Sequence, residues 1–158
     1  MKRLFVTLVS ALLFTVCYAQ TESDVLLDSM LTLLQGANKP NLTAETCNKK
    51  VDRILLIGFP EDRKKLEILV NYAVNIANNS GKPSAIADAN YNMAKFQIAG
   101  SNGYSMATRS LLTSLDLYEK IGDSSGVSRC YMQLGLIGYI TQYFEDGIKN
   151  FQLSLAFA

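Results

Sequence analysis

Apolar residues recur along this chain at spacings of three and four, and clusters of Gly, Pro, Asn and Ser interrupt them at regular intervals. That spacing belongs to helices with one buried stripe. After residue 20, Thr21 to Asp24 can start a helix over 25–35, which Gly36 and Pro40 end. Thr43 caps a second helix in which Cys47, Val51, Ile54 and Leu55 form the stripe, ended by Gly58-Phe59-Pro60. A third covers about 61–78, with Leu66, Leu69, Val70, Ala73, Val74 and Ala77 inward, and Asn78-Asn79-Ser80-Gly81 breaks it. Pro83 opens a fourth helix to about residue 99. A Gly100-Ser101-Asn102-Gly103 turn leads to a fifth over 104–121, which Gly122 stops. Asp123-Ser124-Ser125 caps a sixth over about 126–141, and a seventh starts near Phe144. No alternating run is long enough for a strand. The pattern predicts an all-α chain of antiparallel helical hairpins joined by short loops.

Two of these hairpins are versions of one unit about 41 residues long. Gly81 falls on Gly122, Ile86 on Val127, Met93 on Leu134 and Ala94 on Gly135. After a one-residue difference in the loop, Tyr104 falls on Phe144, Ala107 on Gly147, Leu111 on Phe151, Ser114 on Ser154 and Leu115 on Leu155. Apolar meets apolar and small meets small. A repeat of this length cannot bury its apolar face alone and must stack on its neighbours. Three units follow, at about 43–80, 81–121 and 122–158, behind a leading helix and loop at 20–42. Such arrays hold partners more often than they perform chemistry.

The first nineteen residues change the picture of where the chain works. Lys2-Arg3 precedes an apolar run from Leu4 to Val16, and Cys17-Tyr18-Ala19 puts small residues at −3 and −1 before Gln20. This reads as a secretory signal peptide over 1–19 and an exported, periplasmic or extracellular, mature protein. The run is shorter than the roughly 20 residues a membrane-spanning helix needs. A retained anchor, or lipidation at Cys17, is the alternative. Removing the segment takes Lys+Arg from 15 to 13 against 14 Asp+Glu, so the net charge becomes −1. Nothing in that balance attracts nucleic acid or an anionic membrane surface. Cys47 and Cys130 remain, on first helices two units apart, a spacing of about 20 Å that no disulfide spans. Two free thiols are expected.

The last unit carries residues that resemble the tetratricopeptide repeat: Leu134-Gly135, Phe144, Gly147, Phe151 and Ser154-Leu155. The middle unit follows with Met93-Ala94, Tyr104, Ala107, Leu111 and Ser114-Leu115, and the first matches only in periodicity. The units exceed the family's usual length of about 34 residues, which resembles its long-helix variant. The resemblance implies hairpins stacked as a right-handed solenoid, with Met93, Ala94, Tyr104, Ala107, Leu111, Ser114, Leu134, Gly135, Phe144, Gly147, Phe151 and Ser154 packing the repeats. It also implies a partner-binding groove on the first helices, through Tyr91, Lys95 and Ile98 in the middle unit and Met132, Leu136 and Tyr139 in the last. The whole looks like the exported N-terminal region of Bacteroidota-type sensor kinases, regulators or cyclases, by analogy alone. The apolar stop at Leu155-Ala156-Phe157-Ala158 fits that likeness, with further residues expected beyond 158 and an exposed face around Ile148 and Leu155.

Chemistry is hard to place on this chain. It has no histidine, which removes the commonest metal ligand and general base. No phosphate loop, metal spacing or activated serine is present, and no cofactor is implied. The carboxylate pairs Glu61-Asp62 and Glu145-Asp146 sit in predicted first turns, where they complement the helix dipole. The expected function is therefore non-catalytic: an exported module for a protein or peptide partner, as part of a signalling protein. A free-standing periplasmic adaptor and a binder of a small ligand or glycan are the other readings.

Overall fold

The structure, a computed structural model, describes residues 18–19, 21–34, 42–57, 62–100 and 103–158. The signal-peptide reading, the stops at Gly36, Pro40 and Gly58-Phe59-Pro60, and the Ser101-Asn102 turn lie mostly or wholly outside them. Among the described residues all regular structure is helical. After a leading helix α1 (21–34) come α2 (Ala44–Ile57), α3 (Arg63–Ser80), α4 (Pro83–Ile98), α5 (Tyr104–Ile121), α6 (Ser124–Ile140) and α7 (Phe144–Ala156).

The ends follow the expected chemistry. Thr43 Oγ1 accepts from Thr46 N at 3.2 Å, and Asp123 accepts from Gly126 N at 2.9 Å. Gly81 and Gly122 end α3 and α5 with φ of +65° and +74°, the left-handed region glycine enters without a Cβ clash. Two expectations need correction. Asn78 to Ser80 do not break α3 but complete it. Their side chains bond within the helix, Asn79 to Asn75 and Ser80 to the Ala77 carbonyl, so the last turn is satisfied until Gly81. Asp62 is not in a first turn but is the cap of α3, accepting from Lys65 N at 3.1 Å. Glu145 and Asp146 do occupy the first turn of α7.

From α2 on, each helix packs on the next, and α2 with α4 and α4 with α6 also touch. Leu27 and Met30 of α1 are buried with Cys47, Val51, Ile54, Leu66 and Leu69, so the leading helix closes the first hairpin. Small residues Ala44, Ala77, Ala85 and Ala89 let α2, α3 and α4 approach. A second core joins α4, α5 and α6 through Ala94, Ala107, Leu111, Tyr118 and Cys130. Ser114, fully buried, donates to the Ala87 carbonyl at 2.8 Å, which satisfies its hydroxyl inside that core. Cys47 and Cys130 are both free and buried, and burial pushes both thiols up, Cys47 to about 11.

The α6–α7 hairpin is closed by glycine. The Phe151 ring lies over Gly135, 2.6 Å from where a Cβ would stand, and Gly138 faces the Gly147 backbone directly. Tyr139 meets Phe144 edge to face at 5.9 Å, and Tyr131 stacks on Phe157 at 6.0 Å. Beyond these contacts no described helix covers the outer side of α7: Ile148 and Leu155 are exposed.

Candidate functional site

The first helices of the three hairpins, α2, α4 and α6, share one face, and it carries two buried amides, Asn48 and Asn92. α2 and α4 run side by side in the same direction. Lys82 pairs with Glu45 at 2.8 Å and Lys95 with Asp52 at 2.9 Å, so positions advance together along both helices. The Lys82 hydrogen bond holds the Glu45 carboxyl down to about 2. Between these pairs Asn48 and Asn92 are buried. Asn48 donates through Nδ2 to the Ala85 carbonyl at 2.8 Å, and Asn92 donates through Nδ2 to the Asn48 carbonyl at 3.1 Å. Each amide thus ties one helix to the other. Each is also fixed in orientation, because a flipped amide would set oxygen against oxygen.

From α6, Arg129 joins this arrangement. Its guanidinium lies 4.9 Å from the Tyr91 ring centre and 5.4 Å from that of Tyr118. Its Nη2 donates to the Tyr118 hydroxyl at 3.2 Å and lies 3.7 Å from Asp88. The Tyr118 hydroxyl in turn donates to Asp88 at 2.5 Å. Desolvation, followed by that bond to Asp88, pushes the Tyr118 phenol far up, so it stays a donor at any ordinary pH. Cation–π stacking and charge-assisted bonds together hold the arginine rigidly. Asp88 and Arg129 are 41 residues apart, one repeat, so one position in two successive units carries opposite charges.

These groups line a cleft of about 190 Å³ bounded by Asn48, Lys49, Asp52, Asp88, Asn92 and Arg129. A wider depression of about 640 Å³ lies beside α1 and the start of α3, but Lys65 and Asp28 on its wall already pair at 2.9 Å. Among the described residues no three His, Cys, Asp or Glu side chains gather where a metal could sit, and no helix is long and apolar enough to cross a membrane.

The expected groove residues divide between two environments. Met132, Leu136 and Tyr139 are exposed along α6, at helical spacing from Arg129 and so on the same side of the helix. Lys95 is mostly covered and paired with Asp52. Ile98 is half-buried against the α4–α6 core, and Tyr91 is buried beneath Arg129. Tyr91 is therefore packed beneath the guanidinium and not open on this face. Of the repeat-packing residues, Ala94, Ala107, Leu111 and Ser114 are fully buried, and Gly135 and Gly147 sit at close helix contacts. Met93, Tyr104, Leu134 and Ser154 are half-buried, while Phe144 and Phe151 keep an exposed side.

The sequence reading did not select Asn48, Asp52, Asp88, Asn92 or Arg129. A signal for Asn48 existed: it shares the buried stripe with Val51 and Leu55, where an amide needs a partner. Comparison with protein-family models, curated proteins and solved structures finds no match to this chain.

Proposed function

We propose that this chain is a non-catalytic interaction module that binds a protein segment along the α2/α4/α6 face. The observation that carries this reading is the division of that face. Its polar part is the cleft between Asn48 and Arg129, and its apolar part is the exposed Met132, Leu136 and Tyr139 stripe of α6. A polar anchor beside adaptable Met, Leu and Tyr contacts suits a segment with both kinds of side chain. The same reading takes the hairpins as tetratricopeptide-like units in a right-handed solenoid. It takes the chain as exported, serving as the sensory or scaffolding part of a signalling protein or as a periplasmic adaptor. The shared 41-residue unit and the Lys2-to-Ala19 pattern support it.

Peptide display against the protein tests the module reading. Selected peptides should combine an apolar or aromatic residue with a polar or charged one, and Leu136→Glu should weaken them by about tenfold or more, the cost of a buried apolar anchor replaced by a charge. Peptides indifferent to Leu136→Glu and to changes in the cleft would count against the face. The cleft itself favours one second reading, a small ligand, since 190 Å³ matches a small polar group better than a folded surface.

A further inference from the structure

Asn48, on the cleft wall, carries one atom whose chemistry is unfinished. Asn48 is 2% exposed, and no group among the described residues reaches its Oδ1. Its Nδ2 is committed to the Ala85 carbonyl, which fixes Oδ1 as the free end of the amide. A buried carbonyl oxygen without a donor carries an uncompensated desolvation penalty, which a ligand that donates there would relieve. Asn92 is oriented in the same sense, with Nδ2 spent on the Asn48 backbone. Asp52 and Asp88 add carboxylates from the same two helices. Each uses one oxygen on a partner, Oδ1 of Asp52 on Lys95 and Oδ1 of Asp88 on Tyr118 and Arg129.

We propose that this cleft binds a primary ammonium group. The lining is rich in acceptors, from two amides and two carboxylates, and its one rigid donor, Arg129, is already engaged. Three N–H donors on a compact, singly charged head suit a lining that offers oxygens from two amides and two carboxylates. An anion is disfavoured, because it would place oxygen against Asn48 Oδ1 beside two carboxylates. A divalent cation is disfavoured too, because it needs several charged oxygens around it and among the described residues no three His, Cys, Asp or Glu side chains gather. The volume admits roughly six water-sized units, enough for an aminoalkyl tip. Lys49 lies exposed at the rim, where its chain can move aside. The shared chemistry covers the side chain of a partner's lysine and a free small amine. The assignment rests on the α2/α4/α6 face being the binding surface.

The test is NMR titration of the ¹⁵N-labelled protein with n-propylammonium, N-acetyl-lysinamide, N-methylacetamide and propionate. The proposal expects saturable shifts of the Asn48 and Asn92 side-chain amides with the two ammonium probes. Asp52→Asn, at a half-exposed site and checked for folding by thermal melt, should weaken that binding by roughly tenfold, the size of one charge-assisted hydrogen bond. Asn48→Leu should abolish it, with a thermal melt to confirm folding. Tighter binding of the lysine derivative supports a polypeptide source, and tighter binding of the alkylamine supports a free amine. Equal or stronger shifts with N-methylacetamide or propionate overturn the proposal. So does the lack of any saturable shift in a folded protein, which means that solvent alone satisfies Asn48. Displayed peptides that need Leu136 but ignore Asp52→Asn would leave the interaction module standing and remove only the ammonium assignment.

Discussion

Gly138→Ala is expected to destabilise the protein by about 1–3 kcal/mol, the range for overpacking a close contact. A Cβ there would stand 2.8 Å from both the Cα and the N of Gly147, and backbone atoms cannot swing aside as a flexible side chain can. Helix propensity pulls the other way, since alanine is better than glycine inside a helix by about 1 kcal/mol. The steric term wins because neither helix can retreat. The Phe151 ring over Gly135 and the Tyr139–Phe144 contact hold α6 against α7 on either side. Thermal unfolding followed by circular dichroism should show the midpoint fall by several degrees, at roughly 2–4 °C per kcal/mol for a chain of this size. A rise in the midpoint would mean that α6 and α7 do not meet through Gly138 and Gly147.

The second large effect compares one position in two units. Leu115 of α5 and Leu155 of α7 are equivalent in the repeat, yet Leu115 is 8% exposed and Leu155 is 77% exposed. The difference is the neighbour. α6 covers the outer side of α5, and no described helix covers that of α7. Leu115→Ala should cost about 2–5 kcal/mol, the range for emptying a packed core position. Leu155→Ala should stay within about 0.5 kcal/mol, as for surface substitutions. Urea titrations of the two variants check this directly. Similar losses at both positions would show that the bare face of α7 is covered in solution, by another copy for instance.

These two cases also show what the sequence made legible. Gly81, Pro83 and Gly122 marked helix ends, because a left-handed residue or a missing N–H acts locally and leaves a local trace. Tyr104 to Ile121 was readable to the residue, between Gly103 and Gly122. Asn78 to Ser80 misled because Asn and Ser that break helices elsewhere can also bond within a last turn. The repeat showed which positions are equivalent, but equivalence does not fix burial when one helix has a neighbour and the other has none.

The cleft was legible only in part. Its residues come from three helices, and the first unit matches the others in periodicity alone, so Asn48 and Asp52 could not be aligned with Asp88 and Arg129. Polar residues at helical spacing also look like a solvated face until their partners are known. Tyr91 looks open in the sequence pattern, whereas the structure buries it under Arg129. The sequence pattern gives the order of the helices but not the cross-helix bonds from Asn48 and Asn92 that define the site.

Hydrogen–deuterium exchange with a display-selected peptide bound tests most directly whether α2, α4 and α6 form one binding face. Amides slow down on binding where local opening is suppressed. Added protection is expected over 48–56, 88–98 and 129–139 together, with α3 and α5 unchanged. Protection confined to α3, α5 or the outer side of α7 would contradict it.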